Sequence, residues 1–186
     1  MGGHLMENEV NKGSSLKILV VYYSKTGHTR KIAQDISRQL EADLEEITDK
    51  KKRTGLLGFI FGGRDALTKK ETRIIEMKKN PADYDLVILG SPIWAGNITP
   101  AVRTYINQYG NSIRSTAFFF SSSGKTPDQI FEKLLSLLKE KPIAVTGVAV
   151  SEMKDDNTYR TKISAFIDGI RVKYRSTGLS SSHSSK

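Results

Sequence analysis

The chain has 186 residues, enough for one domain with its own core, and its 38% hydrophobic and 26% charged residues are the balance of a globular protein rather than a disordered or fibrous one. With no cysteine and three histidines (His4, His28 and His183) it can build neither a disulfide framework nor a thiolate metal site, and no metal centre is expected. Lys+Arg 29 against Asp+Glu 20 gives a formal charge of +9, which suits anionic ligands or acidic partners without choosing among them.

Residues 1–15 are polar and Gly/Ser-containing and read as a disordered lead, with MGGHL as a vector-derived start ahead of Met6. A single domain is expected over 16–174. Its first element is the β-branched and aromatic run Leu16 to Tyr23, a buried central strand stopped by Ser24-Lys25-Thr26-Gly27. Ile32, Ala33, Ile36 and Leu40 then form a helical stripe, and Leu44 to Ile47 a short second strand. From Asp49 to Lys79 the rhythm breaks. Lys50 to Arg53 is basic, and the glycine-interrupted cluster Leu56, Leu57, Phe59, Ile60 and Phe61 fits either a helix packed on its own sheet or, over 54–70, a lid or dimer contact beside the ligand.

Asp85 to Gly90 is the third strand. Thr99 and Pro100 start a helix that carries Val102, Tyr105, Ile106 and Tyr109 and stops at Gly110. Thr116 to Phe120 is the fourth strand, and Ile130, Phe131, Leu134, Leu135 and Leu138 are the face of the next helix. Ile143 to Val150 is the fifth strand, and Tyr159, Ile163, Phe166, Ile167, Ile170 and Tyr174 mark a closing helix. The Ser-rich stretch 175–186 is expected to be disordered. Continuously apolar strands alternating with amphipathic helices imply a doubly wound five-stranded parallel sheet in an α/β domain.

Three nucleotide and hydrolase signatures fail. No two glycines stand two apart, so G-x-G-x-x-G is absent; Gly124-Lys125-Thr126 would need a glycine where Phe119 lies in a strand; and no G-x-S-x-G exists. What remains are three loops at one sheet edge. Ser24-Lys25-Thr26-Gly27-His28-Thr29 offers hydroxyls and a helix N-terminus, a composition that fits a phosphate cradle or a plain capping turn. Pro92-Ile93-Trp94-Ala95-Gly96-Asn97 holds the only tryptophan, as a stacking platform or a hydrophobic plug. Ser121-Ser122-Ser123-Gly124 adds further donors.

SKTGHT after VVYYS, SPIWAGN after LVILG and SSSG after FFF together resemble the three flavin-binding loops of flavodoxins and flavodoxin-like reductases, over about Lys17 to Arg171. The resemblance implies a flavodoxin-like strand order 2-1-3-4-5 and FMN as cofactor. It places the phosphate at Ser24, Lys25, Thr26, Gly27, His28 and Thr29. The isoalloxazine would then lie between Pro92 to Asn97 and Ser121 to Gly124. It also implies an electron carrier exchanging electrons with a redox partner protein, or an NAD(P)H-dependent reductase serving a quinone or other small acceptor.

Two departures stand out. Ser121 to Gln129 contains no aromatic residue to stack on the outer flavin face, and the chain is basic where such flavodoxins are acidic. Fully reduced FMN is anionic, so basic surroundings ease addition of the last electron. The basic charge leaves a nucleic-acid-associated protein on an α/β scaffold as a remote alternative, but the lysines are scattered and no nucleic-acid signature occurs, so no nucleic-acid partner is expected. No run approaches the roughly 18 apolar residues of a membrane helix, so no membrane partner is expected either, and the cytoplasm is the expected compartment.

Overall fold

The computed structural model describes residues 16–50, 72–124 and 129–180. Its sheet is built from β1 (Ile18–Tyr22), β2 (Asp43–Glu46), β3 (Leu86–Trp94), β4 (Asn97–Ile98), β5 (Thr116–Ser122) and β6 (Val145–Ala149), with helices α1 (His28–Leu40), α2 (Pro100–Tyr109), α3 (Gln129–Leu135) and α4 (Asp156–Ser180). The five parallel strands run β2-β1-β3-β5-β6, which is the expected 2-1-3-4-5 once the two-residue β4, antiparallel to the end of β3, is set aside.

Alternation along each strand sorts the side chains onto two faces. Leu19, Val21, Val87, Leu89, Phe118 and Phe120 meet Val102, Tyr105 and Ile106 of α2 and Ile130 and Leu134 of α3. On the opposite face Val20, Ile88, Ala117 and Phe119 meet Ile32, Ala33 and Ile36 of α1 and Ile163, Phe166 and Ile167 of α4. Both faces are therefore covered, which is why β1 and most of β3 and β5 are apolar throughout. Each fully buried Leu, Ile or Phe contributes roughly 1.5–3 kcal/mol relative to exposure.

Element ends differ from the sequence expectation in ways that matter for the site. β3 does not stop at Gly90 but continues through Trp94, because its register with β5 holds to Pro92 opposite Ser121 and the hairpin with β4 carries it onward. The stretch expected as a loop is thus a strand extension with a two-residue turn. β5 likewise runs on to include Ser121 and Ser122, both buried. α3 is shorter than expected: after Leu135 the hydrogen bonding tightens, Leu137 N–H donating to Leu134 O at 2.9 Å, and Leu135 faces outward. The α4 backbone passes Arg175 and ends at Ser180. The 54–70 segment lies outside the described residues. Its neighbours are joined by an antiparallel bridge between Asp49 and Ile74, with Lys50 N–H donating to Arg73 O at 2.8 Å and Ile75 N–H to Thr48 O at 2.8 Å.

Candidate functional site

α1 leaves β1 on one face of the sheet and α2 leaves the β3–β4 hairpin on the other, so the winding reverses between β1 and β3 and opens a crevice at the carboxyl ends of the strands. The chain enters α1 through Gly27, whose φ of +92° is open to glycine and strained for other residues. Gly27 N–H donates to Ser24 Oγ at 3.2 Å, and Thr26 Oγ1 pairs with His28 Nδ1 at 3.0 Å. No side chain caps α1 and its first turn holds no acidic residue. The first intrahelical acceptor is Gly27 O, taken by Lys31 N–H, so the N–H groups of His28, Thr29 and Arg30 have no acceptor among the described residues. This end of α1 carries positive partial charge with donors in place for an anion.

Arg30 turns away from that anion-facing end and grips Glu46 at the end of β2, with Nη2 to Oε1 at 2.8 Å and Nε to Oε2 at 3.2 Å. Tyr22 donates to the same carboxylate at 3.1 Å; its burial first, and then the Glu46 charge, push its hydroxyl pKa up and keep the proton on. Glu46 is thereby neutralised beside the loop.

Opposite stands the β3–β4 hairpin. Its turn residues Ala95 and Gly96 have φ of +47° and +68°, the left-handed pair that a two-residue primed turn needs. Asn97 closes it by donating from Nδ2 to Ala95 O at 3.1 Å, and Lys133 of α3 donates from Nζ to Gly96 O at 3.0 Å. Trp94 is half-buried: Tyr23 meets its ring edge-on at 5.7 Å, and Lys25 Nζ lies 5.6 Å from it over the ring. It packs inward on the α2 side and also lines the crevice.

Lys25, Thr26, His28, Pro92, Ile93, Trp94, Ser121, Ser122, Ser123 and Val150 line one cavity of about 240 Å³. All three sequence segments therefore reach the same space. Ser24, Gly27, Thr29, Ala95, Gly96, Asn97 and Gly124 sit around it without lining it and set the backbone of its walls. The third wall divides: Ser121 pairs with Thr29 at 2.7 Å, whereas Ser122 donates to Gly124 O. Val150 and Lys133 were not expected from the sequence. Val150 follows the last parallel strand at the same edge and could have been found by that rule alone; Lys133 carries no local signal, since only the placement of α3 brings it to the hairpin.

The family model for flavodoxin matches residues 17–146, well over half of the chain. The chain belongs to the flavodoxin family. Among solved structures, the fold is similar to a flavoprotein in complex with FMN from Lactobacillus acidophilus NCFM, at 22% identity over 75% of this chain and 97% of that one with a TM-score of 0.60. A Bacteroides eggerthii DSM 20697 protein shares 22% identity over 84% of this chain and 97% of its own, with a TM-score of 0.64. A flavodoxin from the domain Archaea shares 15% over 85% and 99%, with a TM-score of 0.53.

The residues present fit the family's flavin mononucleotide. The uncapped α1 N-terminus and the Ser/Thr hydroxyls suit its phosphate, no Cβ crowds the space at Gly27, and the half-buried indole offers a flat apolar surface to a ring. No pyrophosphate motif exists for a dinucleotide.

Proposed function

We propose that this protein binds one FMN non-covalently, phosphate at Ser24 to Thr29 and ring against Trp94, and passes electrons through it. The observation that carries the reading is the cavity shared by the anion-ready end of α1 and the Trp94 hairpin at the β1/β3 reversal. FMN, when bound, supplies the electron-accepting ring. The protein's own part is to hold the dianion with N–H and O–H donors, to orient the ring with Trp94 and Ile93, and to fix the carbonyls of Ala95 and Gly96 through Asn97 and Lys133.

A second reading, that nicotinamide delivers hydride to the flavin and a small molecule accepts it, is supported by the composition of the third wall. Ser121 to Gln129 places serines and a glycine where an aromatic side chain would shield the ring. One experiment separates the two. The FMN-loaded protein is mixed anaerobically with NADPH or NADH and its visible flavin band is followed. Persistence of the band with NAD(P)H, and its loss only with dithionite or a reduced partner protein, is the outcome for a carrier; rapid bleaching by NAD(P)H is the outcome for a reductase. Failure to retain FMN through gel filtration would overturn both.

A further inference from the structure

Lys25 directly precedes Thr26 and Gly27 in the loop that enters α1, yet its side chain reaches across to the hairpin. Its Nζ is buried and stands over the face of Trp94, 5.6 Å from the ring centre, and both residues line the same cavity. A cation within about 6 Å of an indole face is attracted to it, so the ring helps to hold the ammonium there. A flat ligand lying on the indole shares that space with the ammonium. The charge of the walls is also one-sided. Among the described residues that line the cavity only Lys25 and His28 can ionise, and none is a carboxylate. His28 Nδ1 is engaged within its own loop by Thr26 Oγ1 at 3.0 Å. Glu46, beside that loop, is matched by Arg30 and Tyr22, and Glu152, two residues beyond Val150, by Lys162 at 2.7 Å and Ala149 N–H at 2.8 Å. The walls thus bring a cation to the cavity and no anion.

Two electrons and one proton convert the neutral oxidised isoalloxazine into a monoanion, while the phosphate keeps its charge throughout. A cation at the phosphate therefore acts on both redox states alike, whereas a cation at the ring acts mainly on the reduced one. Burial enlarges the difference, because water and salt screen a buried charge less. We propose that Lys25 is the ring-side cation of this site: its ammonium, held against Trp94, favours the reduced anionic ring over the oxidised neutral one and so raises the midpoint potential of the bound flavin. This rests on the reading of the cavity as the flavin site, with the electrons supplied by NAD(P)H or by a reduced partner protein. It moves the Lys25 side chain from phosphate binding, where its place in the loop would put it, to control of the redox state.

The test measures the dissociation constants of oxidised FMN and riboflavin, and the midpoint potential of each bound flavin under dithionite against a reference dye, in the parent, Lys25→Gln and Lys25→Arg. Affinity for the reduced flavin then follows by linkage with the potential of the free flavin. In Lys25→Gln the reduced flavin should lose about tenfold in affinity relative to the oxidised one, a fall of about 30 mV in the two-electron potential. Lys25→Arg keeps the charge and should hold that affinity ratio within about threefold of the parent. The shift belongs to the ring, so riboflavin, which lacks the phosphate, should show it as FMN does. A parental potential in Lys25→Gln would overturn the proposal, even if oxidised and reduced FMN were weakened equally, as loss of a phosphate contact would do. A shift that Lys25→Arg fails to restore, or one seen with FMN and not with riboflavin, would overturn it as well. If Lys25→Gln fails to fold, Lys25→Met, which keeps the length of the side chain without its charge, replaces it under the same outcomes. A parent that retains neither flavin would instead refute the flavin site itself. A parent that binds flavin at a potential indifferent to the charge at position 25 would refute only the role of Lys25.

Discussion

Ala95 holds a φ of +47° that an L side chain adopts at a cost on the order of 1 kcal/mol, next to Gly96 which adopts +68° freely. Asn-Gly is the sequence such a turn favours, so Ala95→Asn should raise stability by about 0.5–1 kcal/mol, read as a higher urea midpoint at unchanged slope. An unchanged or lower midpoint would mean that the turn is held by Lys133 and Asn97 rather than strained. Gly90 is constrained differently. A Cβ there would stand 2.1 Å from Cζ of Phe119, its partner in register on β5, so Gly90→Ala must displace a core ring at a cost of roughly 1–3 kcal/mol or more. A thermal melt within error of the parent would refute that. Gly27 could be read from the sequence as a loop opening onto a helix; Gly90 could not, because only the β3–β5 register reveals what lies above it. Trp94 was legible as a residue to watch but not in its surroundings, since the edge of Tyr23 and the Lys25 ammonium reach it through the fold. With FMN at the proposed site its fluorescence should be quenched on titration; an unquenched indole would place the ring elsewhere.

Among the elements, α1 is tied to β2 by the Arg30–Glu46 pair near its start and to α4 through Asp35 in its middle. Beyond the Arg30–Glu46 pair, Asp35 accepts from Lys31 at 2.8 Å and from the Tyr159 hydroxyl of α4 at 2.7 Å, with Arg38 at 3.3 Å. Burial pushes the Asp35 pKa up, but the hydrogen bonds from Lys31 and Tyr159 outweigh it and hold the carboxyl below its ordinary value. The unfolded chain then binds this proton more readily than the folded one. The contribution to stability is complete above the unfolded carboxylate range near pH ~4 and is lost as pH falls through the folded value. Asp35→Asn should therefore lower stability at pH 7 by about 1–3 kcal/mol and flatten the acid limb of the stability curve; parallel acid limbs for the two proteins would show that Asp35 is not the group responsible. Strands and helices of this kind were legible because burial on two faces writes long apolar runs and a helical stripe. Their ends were not, since the continuation of β3 to Trp94 and of β5 to Ser122 depends on which strands stand alongside. The same holds for the contact of Lys133 with Gly96 O, which follows from the docking of α3 and has no counterpart in local sequence.

At the scale of the whole molecule, a parallel sheet covered on both faces was legible from the alternation of apolar strands and amphipathic helices, whereas its strand order came from the resemblance of the three loops to those of flavodoxins, and the ligand crevice follows from that order. The long interruption after β2 was legible as an interruption only. Its borders explain why the sheet tolerates it: the chain departs and returns at one place, where Asp49 bridges Ile74, Thr72 donates to Asp49 Oδ1 at 2.8 Å, and Thr72 N–H and O are both met by Thr104 Oγ1 at 3.0 Å on α2. The two borders are fixed to each other and, through Thr104, to α2. Replacing residues 51–71 by a three-residue Gly/Ser turn should thus leave the sheet intact, and the shorter loop should remove closure entropy worth about 1–2 kcal/mol on the logarithmic dependence of closure on loop length, so the melting temperature is expected to hold or rise. A cooperative melt at or above the parent's, with FMN still retained, is the outcome that makes the segment an appendage to a self-sufficient flavin domain. A fall of more than about 3 kcal/mol, well outside the loop term, would instead show that the apolar cluster Leu56 to Phe61 belongs to the core.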